Sequence, residues 1–165
     1  MLMIYVLSAF VLGAVFFDVA SHRLPNFYLL FGLVVGLVFQ VSAVGFSGFW
    51  IGGVGALVGL AVFIPFYAMG GMAAGDVKLM AVVGVFLDFY GVLWVAAYSL
   101  ISGMVFGIFY LIYKGHFMKF VVRYWAMATL RTHIPAEDGD AARNRFPYAI
   151  AIAAGTLLSL YWTPI

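Results

Sequence analysis

The sequence predicts an all-α membrane protein. The architecture expected is a polytopic bundle of six transmembrane helices, with an amphipathic interfacial helix on the cytoplasmic side between the fifth and sixth. Three observations predict it. The 165 residues are 67% hydrophobic and 8% charged, whereas roughly a quarter of a soluble domain is charged. The apolar residues form long runs broken by short polar or glycine-rich segments. All eight Lys and Arg residues fall on one side of a six-span thread, the asymmetry that orients membrane proteins. The length suits one integral-membrane domain over residues 1–165. There are no cysteines, which excludes disulfides, thiol nucleophiles and thiolate zinc sites.

Span 1 is expected over 2–18. It has no basic leader and no small-residue cleavage site, so it reads as a retained span rather than a signal peptide. The break Val19 to Asn26 follows, where Pro25 suits a helix start and Asn26 can cap exposed N–H groups. Span 2 covers 27–44, and Gly45, Ser47 and Gly48 make a turn. Span 3 covers 49–67, with Pro65 in its last turn. Span 4 is short: the uncharged run after Lys78 ends at Leu87, and a span needs about 20 residues. It must therefore include part of Met72 to Lys78, giving 72–87. Span 5 covers 92–113. Span 6 covers 146–162, with Tyr161 and Trp162 at its end as interfacial aromatics. Gly48/Gly52, Gly55/Gly59 and Gly103/Gly107 have the spacing that lets helices approach closely.

Residues 114–145 form the one sizeable polar segment. Its first half places His116, Lys119, Arg123 and Arg131 on one helical arc and Phe117, Val121, Tyr124, Trp125 and Ala128 on the other, the pattern of a helix lying in the interface. Ile134 to Asn144 reads as a solvated loop. Glu137, Asp138 and Asp140 read there as solvated acids. Arg23, Lys78, Lys114, Lys119, Arg123, Arg131, Arg143 and Arg145 share one side, and the other carries Asp88. The basic side is read as cytoplasmic, with both termini outside.

Three acids lie in or beside spans: Asp18, Asp76 and Asp88. Charge in such a setting is expensive and marks function. Asp88 falls in a short outer turn, where an acid is ordinary. Asp18 and Asp76 fall at the same end of their helices. Two carboxylates at one depth in a low-dielectric surround cannot both ionise cheaply. They share a proton, so one can act as base on a water while the other serves a carbonyl as acid. No HExxH and no GxSxG elbow is present, and His22, His116 and His133 lie in polar stretches. The glycines Gly70, Gly71 and Gly75 have two readings: a simple turn, or a gap through which an extended peptide approaches the carboxylates. Lys78 reads as a snorkelling anchor. Arg23 reads as an anchor for span 1 or as a cation facing the acid pair.

The segments Asp18-Val-Ala-Ser-His-Arg-Leu-Pro-Asn26 and Gly71-Met-Ala-Ala-Gly-Asp-Val-Lys-Leu79 resemble the two signature motifs of the type IV prepilin peptidases, bacterial inner-membrane aspartic peptidases of the GxGD class. Phe146-Pro-Tyr-Ala-Ile-Ala-Ile-Ala-Ala-Gly155 is similar to the stretch opening their last span. The short length resembles the tight-adherence (Flp-pilus) branch. The resemblance implies Asp18 and Asp76 as the catalytic pair, acting without metal or cofactor. It implies Gly71, Ala73, Gly75, Arg23, Asn26 and Lys78 as site-shaping positions. The implied substrate is a prepilin, cut at the cytoplasmic face between a short basic leader and an apolar helix. Prepilin and membrane lipid are the expected partners, and nucleic acid is not. Methylation of the new N-terminus, known from longer members, finds no donor-binding site here. One position departs from the pattern: Ala73 stands where GxGD has its first glycine. Alanine is acceptable there unless the backbone needs positive φ. Three alternatives remain: an archaeal-type preflagellin or prepilin peptidase, a proton- or cation-coupled transporter, and an inactive pilus-assembly subunit.

Overall fold

Each apolar run becomes a helix, because a backbone away from water must satisfy its own hydrogen bonds. The computed structural model describes residues 2–21, 23–113, 115, 122 and 148–162. Among these residues the helices are α1 (Leu2–Ser21), α2 (Asn26–Val44), α3 (Ser47–Ala68), α4 (Ala74–Phe86), α5 (Phe89–Tyr113) and α6 (Ala149–Trp162), with no strand. The predicted interfacial helix and most of the 114–145 segment lie outside the described residues. Contacts divide the chain into two compact units, Met1–Gly103 with Pro147–Ile165, and Met104–Phe146. In the second, the described residues are mainly the end of α5, where Met104, Ile108, Phe109 and Ile112 are exposed. The candidate site lies in the first.

α1, α2, α3 and the Phe89–Tyr110 part of α5 are long and apolar enough to cross a membrane. Their outer faces carry Leu12, Phe16, Leu30, Val34, Val38, Trp50, Leu57 and Trp94, all exposed. Helices as apolar outside as inside are suited to lipid. Several boundaries differ from expectation: α1 runs on to Ser21, past 18, and α5 begins at Phe89 rather than 92. α3 begins at Ser47 rather than 49, because Ser47 Oγ donates to Val44 O at 2.7 Å, and Gly48 packs on the Gln40 backbone of α2. The turn itself narrows to Gly45, at φ 70°, and Phe46. Asn26 does not cap α2: Pro25 occupies that place with extended backbone and no side-chain cap.

Span 4, expected over 72–87, differs by two residues at its start and one at its end. α4 has 13 residues, about 20 Å at 1.5 Å per residue, short of a bilayer core of about 30 Å. It starts late because the chain between α3 and α4 is spent on a helix stop. Gly70, at φ 75°, donates to Tyr67 O, and Gly71 donates to Phe66 O, both at 2.9 Å. These two bonds form a Schellman motif. α4 is the central helix rather than one that faces lipid. Every residue from Leu79 to Phe86 is buried, and α1, α2, α3 and α6 all pack on it.

Glycines let it fit. A Cβ at Gly55 would collide with Gly84 O, one at Gly59 would stand 2.6 Å from Met80 O, and one at Gly52 3.1 Å from Val85 O. α3 and α4 thus meet backbone to backbone. On the other side, Gly32 and Gly36 of α2 receive Val82 and Phe86. Without a hydrophobic drive between helices in lipid, such close packing carries the association. Gly103 serves the same purpose against Tyr148, whereas Gly107 has nothing within 4 Å. α1 and α2 are joined by Phe10 and Tyr28, whose rings stack at 4.6 Å, with Tyr28 Oη donating to Phe10 O.

Candidate active site

Asp18 lies one turn before the end of α1, and Asp76 lies in the first turn of α4. Both are buried, at 8% and 4% exposure, in a chain whose other described acid, Asp88, is exposed. The fold brings them within electrostatic range of each other. α1 and α4 pack together, so the two carboxylates share one end of the bundle.

Each carboxylate is held by a backbone donor at a helix N-terminus. Asp76 Oδ2 accepts from Ala73 N at 3.0 Å, the backward reach of an acid at the third helical position. Asp18 Oδ2 accepts from Ala149 N at 3.2 Å. Ala149 is the first residue of α6, so Asp18 caps a helix far from it in sequence. The first N–H groups of a helix have no intrahelical acceptor and favour negative charge. Both acids exploit that preference.

The site-shaping positions separate. Ala73 has φ −84° and ψ 155°, an extended conformation open to any residue, so alanine in place of the motif glycine carries no backbone strain. Gly71 belongs to the α3 stop, and a Cβ there would meet Phe66 O at 3.3 Å. Gly75 is different. A Cβ at Gly75 would make only ordinary 3.4 Å contact with Leu24, so neither φ nor packing demands glycine. Lys78 Nζ donates to Asn26 Oδ1 at 2.9 Å. This bond ties α4 to the start of α2, and both side chains are exposed. Arg23 is exposed, and its carbonyl accepts from Ser21 Oγ at 3.1 Å. His22 lies outside the described residues.

Two residues at this end had no role in the sequence reading, Tyr148 and Ala149. Tyr148 lies within electrostatic range of Asp76, and Ala149 holds Asp18. A backbone donor leaves no side-chain signature. One signal was available: no Ser, Thr, Asp or Asn stands immediately before Ala149, so the donors of α6 needed an acceptor from elsewhere.

Fold and site together define an intramembrane helical bundle with a buried carboxylate pair at one end. A family model described as the type IV leader peptidase family matches residues 5–108, a stretch that contains both acids, and the chain belongs to that family of peptidases. Neither a curated protein nor a solved structure matches the chain.

Proposed function

We propose that the chain is an aspartic endopeptidase that removes the short basic leader from Flp-type prepilins, with Asp18 and Asp76 as its catalytic pair. The observation that carries this reading is the convergence of two buried acids from separate helices at one bundle end. Membership in a leader-peptidase family supplies the reaction class.

The chemistry follows from a shared proton. The ionised carboxylate takes a proton from water as the water oxygen bonds to the scissile carbonyl carbon. The protonated partner gives its proton to the carbonyl oxygen. The tetrahedral adduct collapses when the amide nitrogen takes a proton from the pair, the C–N bond breaks, and a hydroxyl of the adduct returns its proton to the pair. The products are a leader ending in a carboxylic acid, which ionises in water, and a free amine, and the pair is left with one proton, as it began. Neither metal nor cofactor enters. Gly75 supports the substrate reading, since no local constraint accounts for it and an extended peptide needs clearance there.

Orientation is part of the proposal. The six helices are threaded as six spans in a bacterial inner membrane, with α4 and α6 shielded by their neighbours and both termini outside. The pair then sits at the cytoplasmic edge, beside Arg23 and Lys78, at the depth where a leader meets its apolar helix. A proton or cation relay calls for acids near the bilayer midplane, and acids at helix ends argue against it.

The deciding experiment incubates purified protein with an Flp-type prepilin and reads the mature N-terminus by mass spectrometry. Cleavage between leader and apolar helix is expected. An intact substrate in the presence of folded protein overturns the proposal, and cleavage of an archaeal precursor alone would reassign the substrate.

A further inference from the structure

Asp18 is oriented by an element that carries neither acid. Ala149 N donates to its Oδ2 at 3.2 Å in a buried setting. Tyr148, the residue before it, is tied on several sides. Its Oη donates to Ser99 O of α5 at 3.2 Å, and its ring meets Phe63 of α3 edge-on at 6.1 Å. Glycine at 103 makes room for that ring. Its own carbonyl accepts from Ala151 N and Ile152 N, which locks it to α6. Farther along, Gly155 rests directly against Ser99, where a Cβ would collide. The spacing of α5 and α6 therefore fixes where the Ala149 N–H points.

We propose that the first turn of α6 positions Asp18 for catalysis: the Ala149 N–H orients the carboxylate, and Tyr148, anchored on Ser99, holds that N–H in place. The inference rests on the assignment of Asp18 as catalytic. It also extends the site beyond the 5–108 stretch matched by the family model. The physical reason is geometric. A carboxylate on a single Cβ rotates freely unless one oxygen is fixed. Fixing Oδ2 limits the orientations in which the carboxylate can face water and substrate. Ala149 and Tyr148 are positioning residues, because they reach the reaction through Asp18.

Three variants of the full chain test this with a synthetic Flp-type prepilin peptide, measuring kcat, KM and the melting transition in detergent. Ala149→Pro deletes the N–H at the first helical position, where proline is best accommodated, while Ala149→Gly keeps it. Tyr148→Phe keeps the ring and deletes the tie to Ser99. Loss of a hydrogen bond to a charged group is expected to lower kcat on the order of tenfold to a hundredfold in Ala149→Pro. KM should stay within about twofold, since substrate binding is not what is lost. Ala149→Gly, which keeps the N–H, should lose far less kcat than Ala149→Pro, and Tyr148→Phe should lose several-fold. A folded Ala149→Pro with wild-type kcat, or with only KM raised, overturns the inference. If that variant does not fold, Tyr148→Phe decides: reduced kcat at constant KM supports the inference, and unchanged kcat overturns it. Asp18→Asn separates the two levels. An active Asp18→Asn defeats the catalytic assignment, whereas an inactive Asp18→Asn beside a fully active Ala149→Pro defeats only the positioning role.

Discussion

Asp76 and Asp88 make the two opposite hydrogen bonds of a helix start, one reaching back and one reaching forward, and differ in everything around them. Each begins or nearly begins a helix, and each accepts from a backbone N–H three residues away. Asp76 takes Ala73 N at 3.0 Å, and Asp88 takes Gly91 N at 2.7 Å. Asp88 is exposed, caps α5, and stands at the turn after the last residue of the central helix. Asp76 is buried at that helix's other end, with Asp18 in range and the start of α6 beside it. A carboxylate in water that caps a helix is a stabilising device. The same group buried beside a second acid cannot cheaply ionise together with it, and the proposed mechanism uses that property. The lesson is that the cap does not distinguish structure from chemistry; burial and convergence do.

The comparison can be broken by exchanging the roles one at a time. The largest effect is expected from Asp18→Asn and Asp76→Asn. Each should lower prepilin cleavage by at least about a thousandfold, the scale on which members of a catalytic set fail together, while the protein still inserts. A gel assay on membranes checks this, and substantial cleavage by either variant would end the proposed mechanism. Next comes the support beneath Asp76. Gly55→Ala places a methyl against the Gly84 backbone, and overpacking of this kind costs about 1–3 kcal/mol. A lowered melting transition in detergent is the expected readout. Asp88→Asn should cost no more than a few tenths of a kcal/mol, because asparagine caps as well as aspartate. Its cleavage rate should match wild type, and a catalytic defect there would erase the distinction between the two acids. The smallest effect is expected from Ala73→Gly. Restoring the motif glycine should leave kcat within about twofold, since φ −84° already suits alanine. A large gain would show that the position needs a conformation absent from this structure.

The chain's hydropathy made α1, α2, α3 and α5 legible, because a helix that meets lipid must be apolar over its whole length. α4 was less legible for the opposite reason. Shielded by four helices, it is freed from spanning length, and its boundaries follow from Gly70, Gly71 and the extended residue Ala73. The small-residue spacing in α3 correctly indicated close packing, yet it did not say that α4 is the partner. Asp18 and Asp76 stood out because ionisable groups are rare in so apolar a sequence. Lys78 and Asn26 were noted separately, and only the fold joins them by a 2.9 Å bond.

Composition, apolar run length and the cost of intramembrane charge were enough to determine a membrane-embedded helical bundle and to single out two acids, since these depend on residue type alone. Which helix lies at the centre, which glycines are demanded by φ 75° or by a neighbouring backbone, and which N–H holds Asp18 were decided by tertiary structure. Those properties reside in the backbone and in contacts between distant segments. A main-chain donor such as that of Ala149 is the same in every non-proline residue, so only its position in space gives it a role.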